Sequence, residues 1–81
     1  MKVTIKLMNP NSCGQNSIET YPNIPAFKRF LNHMLYYSSE VILHIPCLNE
    51  SYKYSETDNI AYLLSQCNHY NETLEVYQLW E

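Results

Sequence analysis

The sequence predicts a single α+β domain, residues 1–81, built as a two-layer sandwich. One layer is a three- or four-stranded sheet, two helices cover one face of it, and the elements follow in the order β-β-α-β-α-β. Three observations support this prediction. The chain has 81 residues, the length of one domain. Several short segments alternate apolar with polar residues, as half-buried strands do. Two others repeat apolar residues every three or four positions, as amphipathic helices do.

The chain begins with a predicted β-hairpin. Residues 2–8 (KVTIKLM) place Val3, Ile5 and Leu7 on one side, which indicates a half-buried strand. The polar segment that follows contains the only glycine of the chain and predicts a turn. Residues 17–21 (SIETY) are predicted to form the return strand.

Residues 22–39 contain the first predicted helix. Asn23 is a suitable N-cap and Pro25 suits the first turn. One apolar stripe runs along this segment at helical spacing and consists of Phe27, Phe30, Leu31, Met34 and Leu35.

The clearest strand pattern is residues 40–45 (EVILHI), in which Val41, Leu43 and Ile45 face one way. Pro46 cannot donate to a strand ladder and should end this strand. Residues 47–55 are predicted to be a loop with a short extended piece at 52–54.

A second helix and a last strand complete the predicted fold. Ser55 or Thr57 is expected to cap the helix, and Asn68 is expected to end it in the left-handed conformation. Its apolar stripe consists of Ile60, Leu63, Leu64 and Cys67. Residues 72–80 alternate again and predict the last strand.

Covering one sheet face with two helices would leave the other face open. That face should carry apolar and aromatic residues from three strands, namely Met8, Ile42, His44, Tyr77 and Leu79. This is a large apolar surface for a small monomer, so a loop, a second copy or a partner should cover it.

Two candidate chemical sites can be drawn from the cysteines and histidines. The pairs His44-x-x-Cys47 and Cys67-x-His69 contain zinc-ligand types, but their spacing is poor and Cys67 belongs to an apolar helix stripe. Cys13 lies in a polar loop in which the sequence places no activating base. We therefore expect no metal, no cofactor and no enzymatic activity.

The composition argues against several other classes. A single glycine excludes glycine-rich phosphate loops, and no apolar run is long enough for a signal peptide or a membrane span. Three cysteines, an odd number, suit a reducing compartment. The expected location is therefore the cytoplasm. The few basic residues carry no accompanying nucleic-acid motif, so no direct nucleic-acid binding is expected.

Charge is distributed unevenly along the chain. Residues 1–39 hold four basic and one acidic residue, a net charge of +3, whereas residues 40–81 hold one basic and seven acidic residues, a net charge of −6. The whole chain therefore has a net charge of −3. Tyrosines accompany these acidic residues, and tyrosines and carboxylates together suit a basic protein partner. The alternative is a solvated acidic face that keeps the domain soluble. The predicted partner-binding residues are Glu50, Tyr52, Tyr54, Glu56, Asp58, Tyr62, Glu72, Glu75 and Tyr77.

The segment EVILHIPCLNESYKYSETDNIAYLL resembles the modules of ArdA-type antirestriction proteins, in which a strand, an acidic tyrosine-rich loop and a capped helix follow one another. The whole chain also looks like the small phage-encoded anti-CRISPR proteins. These resemblances imply a non-enzymatic inhibitor of a nucleic-acid-targeting defence complex, such as a host nuclease or a CRISPR effector. The alternative is a small structural or regulatory module that homodimerises through its exposed sheet face.

Overall fold

The computed structural model describes residues 2–8, 16–54 and 59–79, which form a mixed five-stranded sheet with two helices. The elements are β1 (Val3–Met8), β2 (Ser17–Tyr21), α1 (Ile24–Tyr37), β3 (Glu40–Ile45), a 3₁₀ turn (Pro46–Leu48), β4 (Glu50–Lys53), α2 (Ile60–His69) and β5 (Leu74–Leu79). The predicted α+β class is confirmed. The predicted strand count was too low, and the order contains one more strand, β4, before α2.

The additional strand falls within the predicted loop and overlaps the short extended piece predicted at residues 52–54. Pro46 ends β3 as expected, and the 3₁₀ turn leads to Asn49, which adopts the left-handed conformation with φ of 51°. The chain then reverses and pairs with β3 in antiparallel orientation. Periodicity missed β4 because this four-residue edge strand half-buries one side chain, that of Tyr52.

The strand order across the sheet is β2-β1-β5-β3-β4. The pairing of β1 with β5 is parallel, and the other three pairings are antiparallel. The last strand in sequence is therefore the central strand, and β2 and β4 form the two outer edges.

Both helices contribute to a single core on one face of this sheet. The sheet side of the core consists of Val3, Ile5, Val41, Leu43, Ile45, Leu74 and Val76, and the helix side consists of Phe27, Leu31, Met34, Ile60, Leu63, Leu64 and Cys67. These are the residues that alternation and helical spacing placed inward. The predicted inward faces of the strands and the predicted apolar stripes of the helices are therefore confirmed.

The helix ends agree with the sequence in one case and differ in the other. Asn23 caps α1, and its side-chain oxygen accepts a hydrogen bond from the backbone N–H of Ala26 at 2.9 Å. The N-cap of α2 is Asn59; the predicted caps Ser55 and Thr57 lie outside the described residues.

The prediction that Asn68 ends α2 in the left-handed conformation was wrong. The helix continues to His69, and Asn71 takes the left-handed position with φ of 55°. The backbone N–H of Glu72 then donates to the carbonyl of Cys67 at 2.8 Å, as in a Schellman motif. Asparagine tolerates this conformation at either position, so local sequence did not distinguish Asn68 from Asn71.

Candidate protein-binding surface

Three of the predicted partner residues lie together beside the outer edge of the sheet. The β3–β4 register pairs Glu50 with Ile45 and Tyr52 with Leu43, so both side chains lie on the helix-covered side of the edge strand. The Tyr52 hydroxyl donates a hydrogen bond to the Glu50 carboxylate at 2.5 Å. Tyr62, on α2, completes a group that we call the β4–α2 surface: Glu50, Tyr52 and Tyr62.

Electrostatic interactions connect the side chains of Glu50, Tyr52 and Tyr62. The hydrogen bond to Glu50 raises the pKa of Tyr52, and partial burial and the neighbouring Glu50 and Tyr62 groups raise it further. Tyr62 remains 49% exposed, and its backbone N–H donates to the Asn59 side chain at 3.3 Å. The surface therefore combines one carboxylate and two aromatic rings, with one tyrosine fixed by the carboxylate and the other open to solvent.

Two other predicted partner residues bond to distant parts of the chain. The Tyr54 hydroxyl donates to the side-chain oxygen of Asn32 on α1 at 2.8 Å, and the Tyr54 ring packs against the core. The Glu72 carboxylate, just after α2, accepts a hydrogen bond from the backbone N–H of Cys47 at 2.8 Å. Both side chains therefore join separate elements of the fold.

Glu75 and Tyr77 occupy the opposite face of the sheet. The Tyr77 hydroxyl donates to the Glu75 carboxylate at 3.1 Å, and burial, followed by this hydrogen bond, raises the pKa of Tyr77. The nine predicted residues are thus not one continuous surface. Glu56 and Asp58 lie outside the described residues.

The structure separates two of the proposed zinc ligands, His44 and Cys67. His44 lies on the open sheet face, where its Nδ1 shares a hydrogen bond with the Ser51 hydroxyl at 2.8 Å, whereas Cys67 is buried in the core. Within the described part of the chain, no group of three or more His, Cys, Asp or Glu side chains could hold a metal ion. Cys13 lies outside the described residues.

The two described thiols carry raised pKa values. Burial raises the pKa of Cys67 to about 11, with smaller contributions from Cys47 and Glu72. Partial desolvation, followed by the hydrogen bond and charge of Glu72, raises the pKa of Cys47. A raised pKa lowers the thiolate fraction, so neither environment activates a nucleophile.

A cavity of about 310 Å³ lies where β1 and β5 begin and α2 ends. It is at the lower size limit of small-molecule sites. Its lining mixes apolar and polar groups of both charges: Lys2, Val3, Thr4, Leu64, Cys67, Asn68, Glu72, Thr73 and Leu74.

An aromatic cluster at the end of α1 was not among the predicted sites. Tyr36 is 81% exposed and Tyr37 is 59% exposed. The Tyr37 ring packs edge-on against Tyr36 and His33, with centroid distances of 4.9 and 5.0 Å. Adjacent tyrosines just before the predicted helix end, outside its apolar stripe, were the available signal.

Comparison of the chain with protein-family models, curated proteins and solved structures found no match. The resemblances to antirestriction and anti-CRISPR proteins therefore remain predictions. In the described part of the chain, no helix combines the length and apolarity needed to cross a bilayer.

Proposed function

We propose that the protein is a non-enzymatic inhibitor of the anti-CRISPR or antirestriction type. It acts in the bacterial cytoplasm and binds a basic, nucleic-acid-handling protein of a defence complex. The acidic, tyrosine-rich half of the chain supplies the contact, and the β4–α2 surface is its centre.

The observation that supports this proposal is the arrangement of Glu50, Tyr52 and Tyr62. Tyrosine buries a large, rigid ring at low entropic cost and keeps a polar hydroxyl, which is why it is frequent in binding hot spots. The hydrogen bond between Tyr52 and Glu50 orders one ring before binding. A partner arginine or lysine could then pair with the Glu50 carboxylate while apolar parts of the partner pack against the two rings.

Charge along the chain supports a basic partner in particular. The second half carries a net charge of −6 and the whole chain −3. Opposite charges accelerate the encounter of two proteins, and this acceleration falls as salt screens the field. The acidic half would therefore set the association rate, and the tyrosines would set the dissociation rate.

Capture from a lysate of bacteria with intact defence systems would supply the partner, and surface plasmon resonance would then measure the kinetics. Glu50→Lys should slow association, and more salt should weaken binding of the native chain. Tyr62→Ala should instead accelerate dissociation, at a cost of about 2 kcal/mol if the ring is a hot spot.

Glu19→Lys is the matched control, because Glu19 lies on the same side of the sheet but on the opposite outer strand, β2. It makes the same charge change about 19 Å away, at a strand spacing of about 4.8 Å. It should leave the dissociation rate unchanged and affect association less than Glu50→Lys. Binding that resists salt and responds equally to the two reversals would contradict the proposal.

A further inference from the structure

The open face of the sheet has a charge pattern that is complementary to itself. The strand registers align Lys6, Glu75 and His44 in one row across β1, β5 and β3. The next row contains Met8, Tyr77, Ile42 and Lys53. A third row pairs Leu79 with Glu40.

Tyr77 lies at the middle of this pattern. Lys6 lies on the neighbouring strand β1, opposite Glu75, which is two residues before Tyr77. Glu40 lies on the other neighbouring strand, β3, opposite Leu79, which is two residues after Tyr77. With strands about 4.8 Å apart and about 3.3 Å per residue, the Cα atoms of Lys6 and Glu40 each lie about 8 Å from that of Tyr77, in opposite directions. A basic and an acidic residue therefore occupy symmetric positions in the sheet about Tyr77.

We propose that this face binds a second copy of the chain in a two-fold symmetric dimer. An in-plane two-fold axis through Tyr77, perpendicular to the line from Lys6 to Glu40, places each Lys6 opposite the Glu40 of the second copy. It also brings the side chains of Met8 and Leu79 together across the interface. The strands of the two sheets then cross near a right angle, which is one of the two common ways in which sheets pack.

The charges of the face favour a second copy over a strongly charged partner. Among the described strand residues, it carries two lysines and two glutamates, and Lys53 pairs with Glu40 at 3.0 Å. A face without net charge adds little repulsion when two copies with a net charge of −3 approach. The reciprocal Lys6–Glu40 contacts would also fix one orientation, as an isologous interface requires.

The size of the face implies a weak dimer. Five strands span about 19 Å, and six residues span about 20 Å. A flat contact of this size buries less than the roughly 800 Å² per partner of a standard interface. We therefore expect dissociation in the micromolar range, so that dimers form in concentrated samples and separate on dilution.

Sedimentation velocity from about 1 to 500 µM tests the proposal by charge reversal and mixing. Lys6→Glu and Glu40→Lys should each weaken self-association at least tenfold, because each variant opposes like charges twice. An equal mixture of the two variants should restore dimers at the native affinity, since every cross-interface pair is then again of opposite sign. Loss of self-association in each variant alone, with recovery in the mixture, is the result expected when Lys6 and Glu40 meet across the interface.

Glu19→Lys is again a suitable control, because Glu19 lies on the helix-covered side and should leave the dimer unchanged. Circular dichroism checks folding; the Glu40–Lys53 ion pair is exposed, so its loss should have little effect on the folded state. A chain that stays monomeric to 500 µM, variants that dimerise like the native chain, or a mixture that does not recover would each overturn the proposal.

Discussion

Two neighbouring residues of β3 should respond very differently to truncation. Leu43 is fully buried between the sheet and the helices, whereas Ile42 is half-buried on the open face. Leu43→Ala removes three carbons at about 0.8 kcal/mol each, or about 2.4 kcal/mol, and the cavity left behind adds to this. We expect a loss of about 3 kcal/mol for Leu43→Ala and a smaller loss, of about 1–2 kcal/mol, for Ile42→Ala, because the partly exposed side chain of Ile42 leaves no enclosed cavity.

These losses are large relative to the stability of the domain. At about 0.05–0.15 kcal/mol per residue, the whole chain should be stable by roughly 4–12 kcal/mol. In a domain of this size, 3 kcal/mol should lower the melting temperature by about 12–24 °C. Urea denaturation at nanomolar concentration, followed by intrinsic fluorescence, would measure both variants well below the concentration at which the proposed dimer forms.

The comparison tests the register of the central strands. A one-residue shift of β3 would exchange the buried and open faces, and Ile42→Ala would then be the costlier change. Equal losses for Leu43→Ala and Ile42→Ala would indicate that the open face is covered within the monomer. Either result would refute the two-layer arrangement in which only one sheet face is packed.

Three further outcomes follow from the helix ends and the thiols. Asn59→Ala should cost about 1 kcal/mol in urea denaturation, because it removes the side chain that caps α2. Asn71→Gly should be neutral or slightly stabilising, whereas Asn71→Ala should destabilise, because the φ of 55° suits glycine. In a Cys13→Ser background at pH 8, a thiol reagent should label exposed Cys47 before Cys67, which is buried with a pKa of about 11. Mass spectrometry would detect the order, and equally fast labelling of Cys67 in the folded protein would contradict its burial.

The predicted partner-binding residues illustrate what the sequence could not decide. Composition identified an acidic, tyrosine-rich half, and this gave nine residues as one group. The β3–β4 and β3–β5 registers divide that group between the two faces of the sheet. Tyr54 and Glu72 in addition form hydrogen bonds with residues that are distant in the sequence, Asn32 and Cys47. Such contacts link residues more than 20 positions apart, so no local pattern reports them.

The sequence by itself determined which residues face the core. Alternation in β1, β3 and β5 and the stripes of α1 and α2 were sufficient, because one-sided burial leaves a period of two or of 3.6 in the chain. Only the tertiary structure decided that β5 lies between β1 and β3 and that β4 extends the sheet at its edge. Strand order depends on long-range pairing and edge strands bury little, so neither leaves a periodic signal. The same long-range pairing places Lys6 and Glu40 symmetrically about Tyr77.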